Sequence, residues 1–205
     1  MALLIGKKIG MTQLFEESGR ISPVTVIEAG PCPIVQVKTS DKEGYSAIQI
    51  GFIDAKESRV TSPMKGHFKK ANVKPQRILC EVRVDDASEY KVGNALDVNV
   101  FEGIDKVHVT GTSKGRGFAG TVKRHGFRIG RWTHGNKSHR EPGSVGQCAT
   151  PARIFKGKRL PGRMGGKTRT VKNLPVVQID AENNLIFVKG AVPGANNEIV
   201  FVRTA

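Results

Sequence analysis

The positive charge of this 205-residue chain is concentrated in one third of its length. Residues 106–172 contain 17 Lys and Arg against one acidic residue, Glu141, which gives this segment a charge of +16. The rest of the chain has 16 basic and 17 acidic residues, so its charge is −1. Because phosphates or anionic lipids relieve such self-repulsion, the charge excess indicates a polyanionic partner.

The basic third is also too poor in apolar residues to form a core of its own. It holds 13 of the 24 Gly, and only five Ile, Leu and Val residues lie between Gly111 and Thr170. Five such side chains cannot offset the entropy of ordering about 60 residues, which is about 1–2 kcal/mol for each backbone unit. We therefore expect residues 111–170 to be a long, basic, Gly-rich, irregular extension that something outside the segment orders.

Short β-branched runs separated by turn residues occupy both sides of this extension. Residues 78–84 alternate apolar and polar side chains with the period of two that is typical of a half-buried strand, and residues 96–101 repeat the pattern. The runs that predict strands are 24–27, 34–37, 48–52, 78–84, 96–101, 107–109, 175–179, 185–190 and 199–202. This spacing predicts a mainly β fold, a barrel or a sandwich, with a short helix near residues 64–73. Its body comprises residues 1–110 together with 171–205, and the extension is inserted before the C-terminal strands.

Several function classes are disfavoured by what the sequence lacks. No apolar run approaches the ~18–20 residues that a membrane-spanning helix needs, and the first residues do not have the basic-then-apolar order of a signal peptide. The three cysteines, Cys32, Cys80 and Cys148, form no close pair, which fits a reducing cytosol. We expect a cytoplasmic protein without a membrane partner.

Residues 115–120 match the spacing G-x-G-x-x-G of phosphate-binding loops. A dinucleotide site requires an amphipathic helix directly afterwards, whereas the segment that follows is basic and is broken by Gly126 and Gly130. The glycines are better explained by close approach of backbone amides to phosphates. A small enzyme that binds a nucleotide at this loop stays as an alternative, and so does an adaptor whose basic loop binds an acidic protein.

A zinc site at His134, His139 and Cys148 is not expected. The segment has no Cys-x-x-Cys pair, and the neighbouring cations would repel a metal ion. Neither these residues nor the carboxylates of the turns form an arrangement that catalysis requires. We predict no metal, no cofactor, no small-molecule substrate and no catalytic residues, so the chain is not expected to be an enzyme.

Aromatic residues are interspersed among the cations of the extension. Trp132 either stacks on an unpaired base or braces the tip of the loop, whereas Phe118 and Phe155 either share this role or pack against the body. Cations, flat side chains and abundant Gly together suit a segment that threads through folded RNA. The candidate RNA-binding residues are Lys114, Arg116, Lys123, Arg124, Arg128, Arg131, Trp132, His134, Lys137, His139, Arg140, Arg153, Lys156, Lys158, Arg159, Arg163, Lys167 and Arg169.

A family resemblance is carried by the pattern Phe101-x₆-His108-x₂-Gly111-Thr-Ser-Lys-Gly-Arg-Gly-x₂-Gly120-x₃-Arg124. It resembles the signature of the ribosomal protein L-three family, and the similarity runs from end to end at about the bacterial length. The other segments that resemble this family are residues 6–12, 29–33, 138–147, 157–165 and 188–194. Two positions depart from its pattern: His108 replaces an Asp or Asn, and His125 replaces the Trp of many bacterial members.

The resemblance implies a β-barrel body and an extension that runs toward the peptidyl-transferase centre of the large ribosomal subunit. It implies binding to large-subunit (23S) rRNA near its 3′ end, a role in nucleating subunit assembly for translation, and neighbouring ribosomal proteins at the barrel. In bacterial members the glutamine that matches Gln147 can be N5-methylated, so Gln147 is a candidate methylation site and a glutamine methyltransferase a candidate partner. The chain would then be a structural protein of the cytoplasmic ribosome.

Overall fold

The computed structural model describes residues 3–16 and 19–205 and shows a mainly β protein. The strands are β1 (Leu3–Phe15), β2 (Ile21–Ala29), β3 (Cys32–Lys38), β4 (Ala47–Asp54), β5 (Gln76–Arg83), β6 (Ala95–Leu96), β7 (Lys106–Thr112), β8 (Phe118–Ala119), β9 (Gly162–Arg163), β10 (Thr168–Asp180), β11 (Leu185–Lys189) and β12 (Ile199–Thr204). The helices are α1 (Ser40–Glu43), α2 (Ser62–Ala71) and α3 (Thr121–His125), and 3₁₀ turns cover Glu57–Arg59 and Val98–Phe101.

Six strands close into a barrel in the order β1-β12-β7-β10-β11-β2, and each neighbouring pair is antiparallel. Strands β10, β11 and β12 follow residue 167 in the chain, yet they pair with β7, β2 and β1, which all end before residue 113. The C-terminal strands therefore complete the barrel, as expected from the sequence. The prediction of a mainly β fold with a barrel body is confirmed.

The interior of the barrel is filled by side chains that alternate along each strand. Val107 and Val109 on β7, Ile186 on β11, and Val200 and Val202 on β12 are fully buried. Because successive side chains of a strand point to opposite faces, this period of two places one row inside the barrel and leaves the other outside. Burying each such side chain stabilises the fold by about 1.5–3 kcal/mol.

Gly111, one of the glycines in the family-like pattern, lies where two segments of the barrel touch. A Cβ at this position would lie 2.9 Å from the carbonyl oxygen of Pro193 and 3.1 Å from Cγ1 of Val200. The absence of a side chain allows β7 to approach the segment before β12 this closely.

A second sheet has the strand order β5-β4-β3-β6, and its strands lie between β2 and β7 in the sequence. Helix α2 packs on it through Phe68 and Ala71, which are buried together with Val35. The predicted helix near residues 64–73 is thus present as α2. The predicted strand at 96–101 is wrong beyond Leu96, because a 3₁₀ turn buries both Val98 and Phe101 at a spacing of three residues.

The chain divides into two units, one made of residues 114–167 and the other, the barrel unit, of the described residues of 1–113 and 168–205. Strand β7 continues to Thr112 and pairs there with Thr168 of β10, so the barrel strands reach further than the predicted boundaries of 110 and 171. That residues 111–170 form an extension ordered by an outside partner stays a prediction. Within the described residues, no helix has both the length and the apolar character needed to cross a bilayer.

Candidate nucleic-acid interface

The two ends of the 114–167 unit are joined by a short antiparallel stem. Strand β8 pairs with β9, with Phe118 opposite Arg163. The amide of Arg116 donates to the carbonyl of Met164 over 2.8 Å, and the amide of Met164 donates to the carbonyl of Gly117 over 2.9 Å. These pairings hold the entry and the exit of the unit side by side.

Gly165 makes the close approach within this stem possible. Its φ is 71°, in the left-handed region that L side chains rarely adopt. A Cβ there would also overlap the carbonyl oxygen of Lys114. Both the backbone conformation and the space therefore require glycine at this position.

Helix α3 follows the stem and is fastened to the returning chain by its last two side chains. Arg124 Nη1 donates to the carbonyl of Leu160 over 2.6 Å, and Nε2 of His125 lies 3.1 Å from the same oxygen. Since a carbonyl oxygen only accepts, Nε2 of His125 carries the proton. Gly126, with a φ of 70°, ends the helix after five residues. His125 thus forms a structural contact at the position where many members of the resembled family have Trp.

The glycine-rich loop at residues 115–120 does not have the surroundings of a dinucleotide site. Helix α3 is only five residues long, and the adjacent strands β8 and β9 are antiparallel, whereas such a site lies between parallel strands and a long helix. In the described part of the chain, no group of three or more His, Cys, Asp or Glu side chains is placed to hold a metal ion.

The 114–167 unit carries 14 Lys and Arg and a single acidic residue, Glu141. Of these 54 residues, all of which the structure describes, Ala119 and Thr121 are buried. One carboxylate cannot neutralise 14 cations, and Glu141 also accepts a hydrogen bond from Ser138 Oγ over 3.1 Å. The unit therefore presents a large uncompensated positive charge to its surroundings.

The structure places 17 of the 18 candidate RNA-binding residues in this unit. Arg169 is the exception, because it lies on β10 opposite Gly111 in the barrel unit. Arg124 and His139 are half-buried, and the other 16 candidates are exposed. Arg124 is committed in part to the Leu160 carbonyl, since its Nη1 donates to that oxygen.

The aromatic residues of the unit are largely open to solvent. Phe118 is 80% exposed, Trp132 69% and Phe155 56%. Exposed aromatic rings among cations are the usual composition of a surface that binds single-stranded nucleic acid.

Gln147 lies in a segment, residues 141–150, in which every residue is exposed. Its neighbour Cys148 is also exposed and is a free thiol. Ser144 Oγ donates to the carbonyl of Gly146 over 3.3 Å, so this segment has local contacts of its own. The side-chain amide of Gln147 is accordingly accessible to a modifying enzyme.

His108, which replaces the Asp or Asn of the resembled pattern, acts as a hydrogen-bond acceptor. The backbone amide of Asn173 donates to Nδ1 of His108 over 3.0 Å. Asn173 has a φ of 55° and lies at the register shift of β10 between Val171 and Leu174. The imidazole nitrogen at this position thus accepts a main-chain hydrogen bond.

The barrel unit also contains a polar cluster that no local pattern of the sequence indicates. Lys38 Nζ donates to Glu81 Oε1 over 2.6 Å and to the Tyr45 hydroxyl over 2.8 Å. Tyr45 in turn donates to Glu81 Oε2 over 2.9 Å. The hydrogen bonds to Glu81 and Tyr45 raise the pKa of Lys38, and those from Lys38 and Tyr45 lower the pKa of Glu81. Glu81 lies 43 positions from Lys38 and 36 from Tyr45, so no local sequence pattern could predict these contacts.

Comparison with known proteins identifies the family. Residues 80–184 match the family described as "Ribosomal protein L3". The "Large ribosomal subunit protein uL3" of Carboxydothermus hydrogenoformans is 53% identical over 202 residues, which cover 98% of this chain and 96% of that protein. The protein of the same name from Thermosipho africanus is 55% identical over 205 residues, 100% of this chain and 98% of that protein. With a matching signature and relatives of this similarity along the whole chain, the protein belongs to the ribosomal protein L3 family.

Proposed function

We propose that this protein is a structural constituent of the large ribosomal subunit and acts in translation in the cytoplasm. The family is one of structural proteins, not of enzymes. The relatives bear the name of a large-subunit protein and cover nearly the whole chain. A closed barrel in a chain that also contains a strongly cationic unit is consistent with this function.

The observation that carries the proposal is the charge and exposure of residues 114–167. Fourteen cations against one carboxylate require an external polyanion for neutralisation. RNA supplies phosphates in a continuous chain and unpaired bases for the exposed rings of Trp132 and Phe118. In this function the cations bind rRNA phosphates, and the 16 exposed candidate residues form the primary interface.

The finer part of the proposal concerns the place of the protein in the subunit. It binds 23S rRNA near its 3′ end, helps to nucleate subunit assembly, and directs the extension at residues 111–170 toward the peptidyl-transferase centre. Neighbouring ribosomal proteins contact the barrel. These statements are supported by the family resemblance and by the inability of the basic segment to build a core of its own.

Gln147 is proposed to be N5-methylated by a glutamine methyltransferase. Its exposure within residues 141–150 supports this, since the enzyme must reach the side-chain amide. Mass spectrometry of the protein from its own cells is expected to find one added methyl group on the peptide that contains Gln147. An unmodified Gln147 in mature ribosomes would contradict the proposal.

Crosslinking followed by sequencing of the bound RNA in cells tests the main function. We expect the crosslinks to concentrate in 23S rRNA near its 3′ end and to map to residues 114–167 on the protein. Crosslinks spread evenly over messenger and transfer RNA would contradict this assignment.

Two further measurements separate the alternatives. An adaptor that binds an acidic protein would keep its partner after RNase treatment, whereas we expect the complex to dissociate. An enzyme with a nucleotide site at residues 115–120 would bind mononucleotides saturably in equilibrium dialysis, whereas we expect no saturable binding.

A further inference from the structure

Residues 130–141 form a loop that is closed by its own hydrogen bonds. The amide of Gly130 donates to the carbonyl of His139 over 2.9 Å, which joins the two sides of the loop. The side-chain Nδ2 of Asn136 donates to the carbonyl of Arg131 over 2.8 Å. These bonds shape the loop locally, within a segment whose overall path is expected to be ordered by its partner.

The turn of this loop is determined by its local backbone. His134 and Gly135 have φ values of 59° and 73°, which reverse the chain, and the amide of Ser138 donates to Oδ1 of Asn136 over 3.1 Å. A Cβ at Gly130 would lie 2.5 Å from Nδ2 of Asn136 and 2.6 Å from the carbonyl of Ser138. The absence of a side chain at Gly130 thus lets the two sides of the loop meet.

The closed loop brings two rings into a parallel stack. The ring centroids of Trp132 and His139 are 4.6 Å apart and their planes differ by 13°. His139 Nδ1 lies 2.9 Å from the carbonyl of Arg131, so Nδ1 carries the proton and donates to it. The orientation of the imidazole is therefore held by this bond and by the main-chain bond from Gly130.

One face of the Trp132 ring lies against His139, yet 69% of the residue is exposed. The opposite face is consequently open to solvent, although burial of a Trp side chain is strongly favourable. If Trp132 only braced the loop, the ring face that lies against His139 would be enough. The same loop carries the exposed cations Arg131, Lys137 and Arg140.

We infer that the Trp132–His139 stack is a preformed binding site for one unpaired nucleobase of RNA. The base stacks on the open face of Trp132, and the ring of His139 forms the third layer. The neighbouring cations bind the phosphates of the same nucleotide strand. His139 is a positioning residue here, because it holds the indole in place before binding and so lowers the ordering cost. This inference rests on the proposed function, that residues 114–167 bind RNA.

Trp132 is the only tryptophan of the chain, so its fluorescence reports directly on this site. The full-length protein is titrated with a short single-stranded oligoadenylate and, in parallel, with an RNA duplex of equal total charge. We expect saturable quenching with the single strand, because its bases are free to stack on the indole. The duplex is expected to bind without comparable quenching, since its bases are already stacked. Equal quenching by both RNAs, or none by either, would overturn the inference.

Variants separate stacking from general RNA affinity. Base–aromatic stacking of this kind corresponds to an affinity loss of about 5–150-fold for Trp132→Leu toward the oligoadenylate, whereas Trp132→Phe keeps a ring and most of the affinity. His139→Leu is expected to weaken binding and His139→Phe to restore it. The matched control is Phe15→Leu, because Phe15 is 73% exposed but lies on β1 of the barrel unit. Its affinity is expected to equal that of the unsubstituted protein.

The outcomes also distinguish this inference from the proposed function. If Trp132→Leu binds the oligoadenylate and 23S rRNA as tightly as the unsubstituted protein does, with the same salt dependence, the stacking site is refuted and the function stands. If the unsubstituted protein binds no RNA at all, the proposed function fails and the inference fails with it. If Trp132→Leu disturbs the loop, Trp132→Phe still tests the inference, because it keeps an aromatic ring at this position.

Discussion

Lys8 links strand β1 to two residues of the barrel unit that lie 184 and 186 positions later in the sequence. Its side chain is buried, and Nζ donates to the carbonyl of Val192 over 2.9 Å and to that of Gly194 over 3.2 Å. The main chain of the same residue also pairs with the segment before β12, through Asn197 and Glu198. Both segments belong to the regions that resemble the family, so we expect this contact to be important for stability.

Lys8→Met keeps the length and the apolar stem of the side chain but removes both hydrogen bonds. Each buried carbonyl that loses its donor costs about 1–3 kcal/mol, so the two cost about 2–6 kcal/mol. Removing a buried ammonium also removes its desolvation penalty, which offsets part of this loss. We expect a net decrease in the free energy of unfolding of about 2–4 kcal/mol, or about 4–16 °C in Tm for a chain of this length.

The assay is urea unfolding followed by far-ultraviolet circular dichroism, which reports the strands of the barrel. The matched control is Lys7→Met, the same substitution at the adjacent position of β1, where the side chain is only half-buried. We expect that control to change the free energy of unfolding by less than about 1 kcal/mol. Equal unfolding midpoints for the two variants would refute the importance of the Lys8 contacts.

Two further predictions follow from the pKa shifts of the barrel unit. Hydrogen bonds from Lys38 and Tyr45 lower the pKa of Glu81, so their contribution to stability is complete above the ordinary Glu pKa of about 4.3 and is lost as pH falls through the lower folded value. In urea unfolding, Glu81→Gln should therefore lower the free energy of unfolding at pH 7 and leave it unchanged in acid. The same decrease at both pH values would be inconsistent with this. Burial raises the pKa of Cys32 to about 12, so in the native protein alkylation should label the exposed Cys148 and spare Cys32, as judged by peptide mass spectrometry. Comparable labelling of both thiols would be the opposite result.

The strands of both sheets could be predicted from the sequence wherever a strand buries one face. The alternation at residues 78–84 corresponds to β5, and the run at 199–202 corresponds to β12. Strand β1 was not predicted, because Lys7 and Lys8 interrupt its apolar run. The burial of Lys8 depends on carbonyls almost at the other end of the chain, and no local pattern contains that information.

The candidate interface was predictable in composition but not in arrangement. Charge counting placed the excess of cations in residues 106–172, a range that contains the 114–167 unit. The pairing of Trp132 with His139 depends on a turn and on two hydrogen bonds to the Arg131 carbonyl, which no spacing rule describes. The contact from Arg124 to Leu160 was likewise hidden, since a cation that binds a carbonyl has the same sequence signature as one that binds a phosphate.

We expect the cations of the 114–167 unit to supply most of the affinity for rRNA. The most direct test of this expectation is the salt dependence of binding to a 23S rRNA fragment. For about 8–10 neutralised phosphates, log K is expected to fall with log salt with a slope of about −6 to −9.

The decisive comparison uses two variants that each lose four positive charges. The first replaces Lys114, Arg116, Lys123 and Arg128 by Gln; all four are exposed, and Arg124 is retained because it donates to Leu160. The control replaces the exposed Lys42, Lys65, Lys69 and Lys91 of the barrel unit by Gln. We predict that the first variant reduces the slope by about 3 and that the control leaves it nearly unchanged. Equal slopes for the two variants would contradict this expectation.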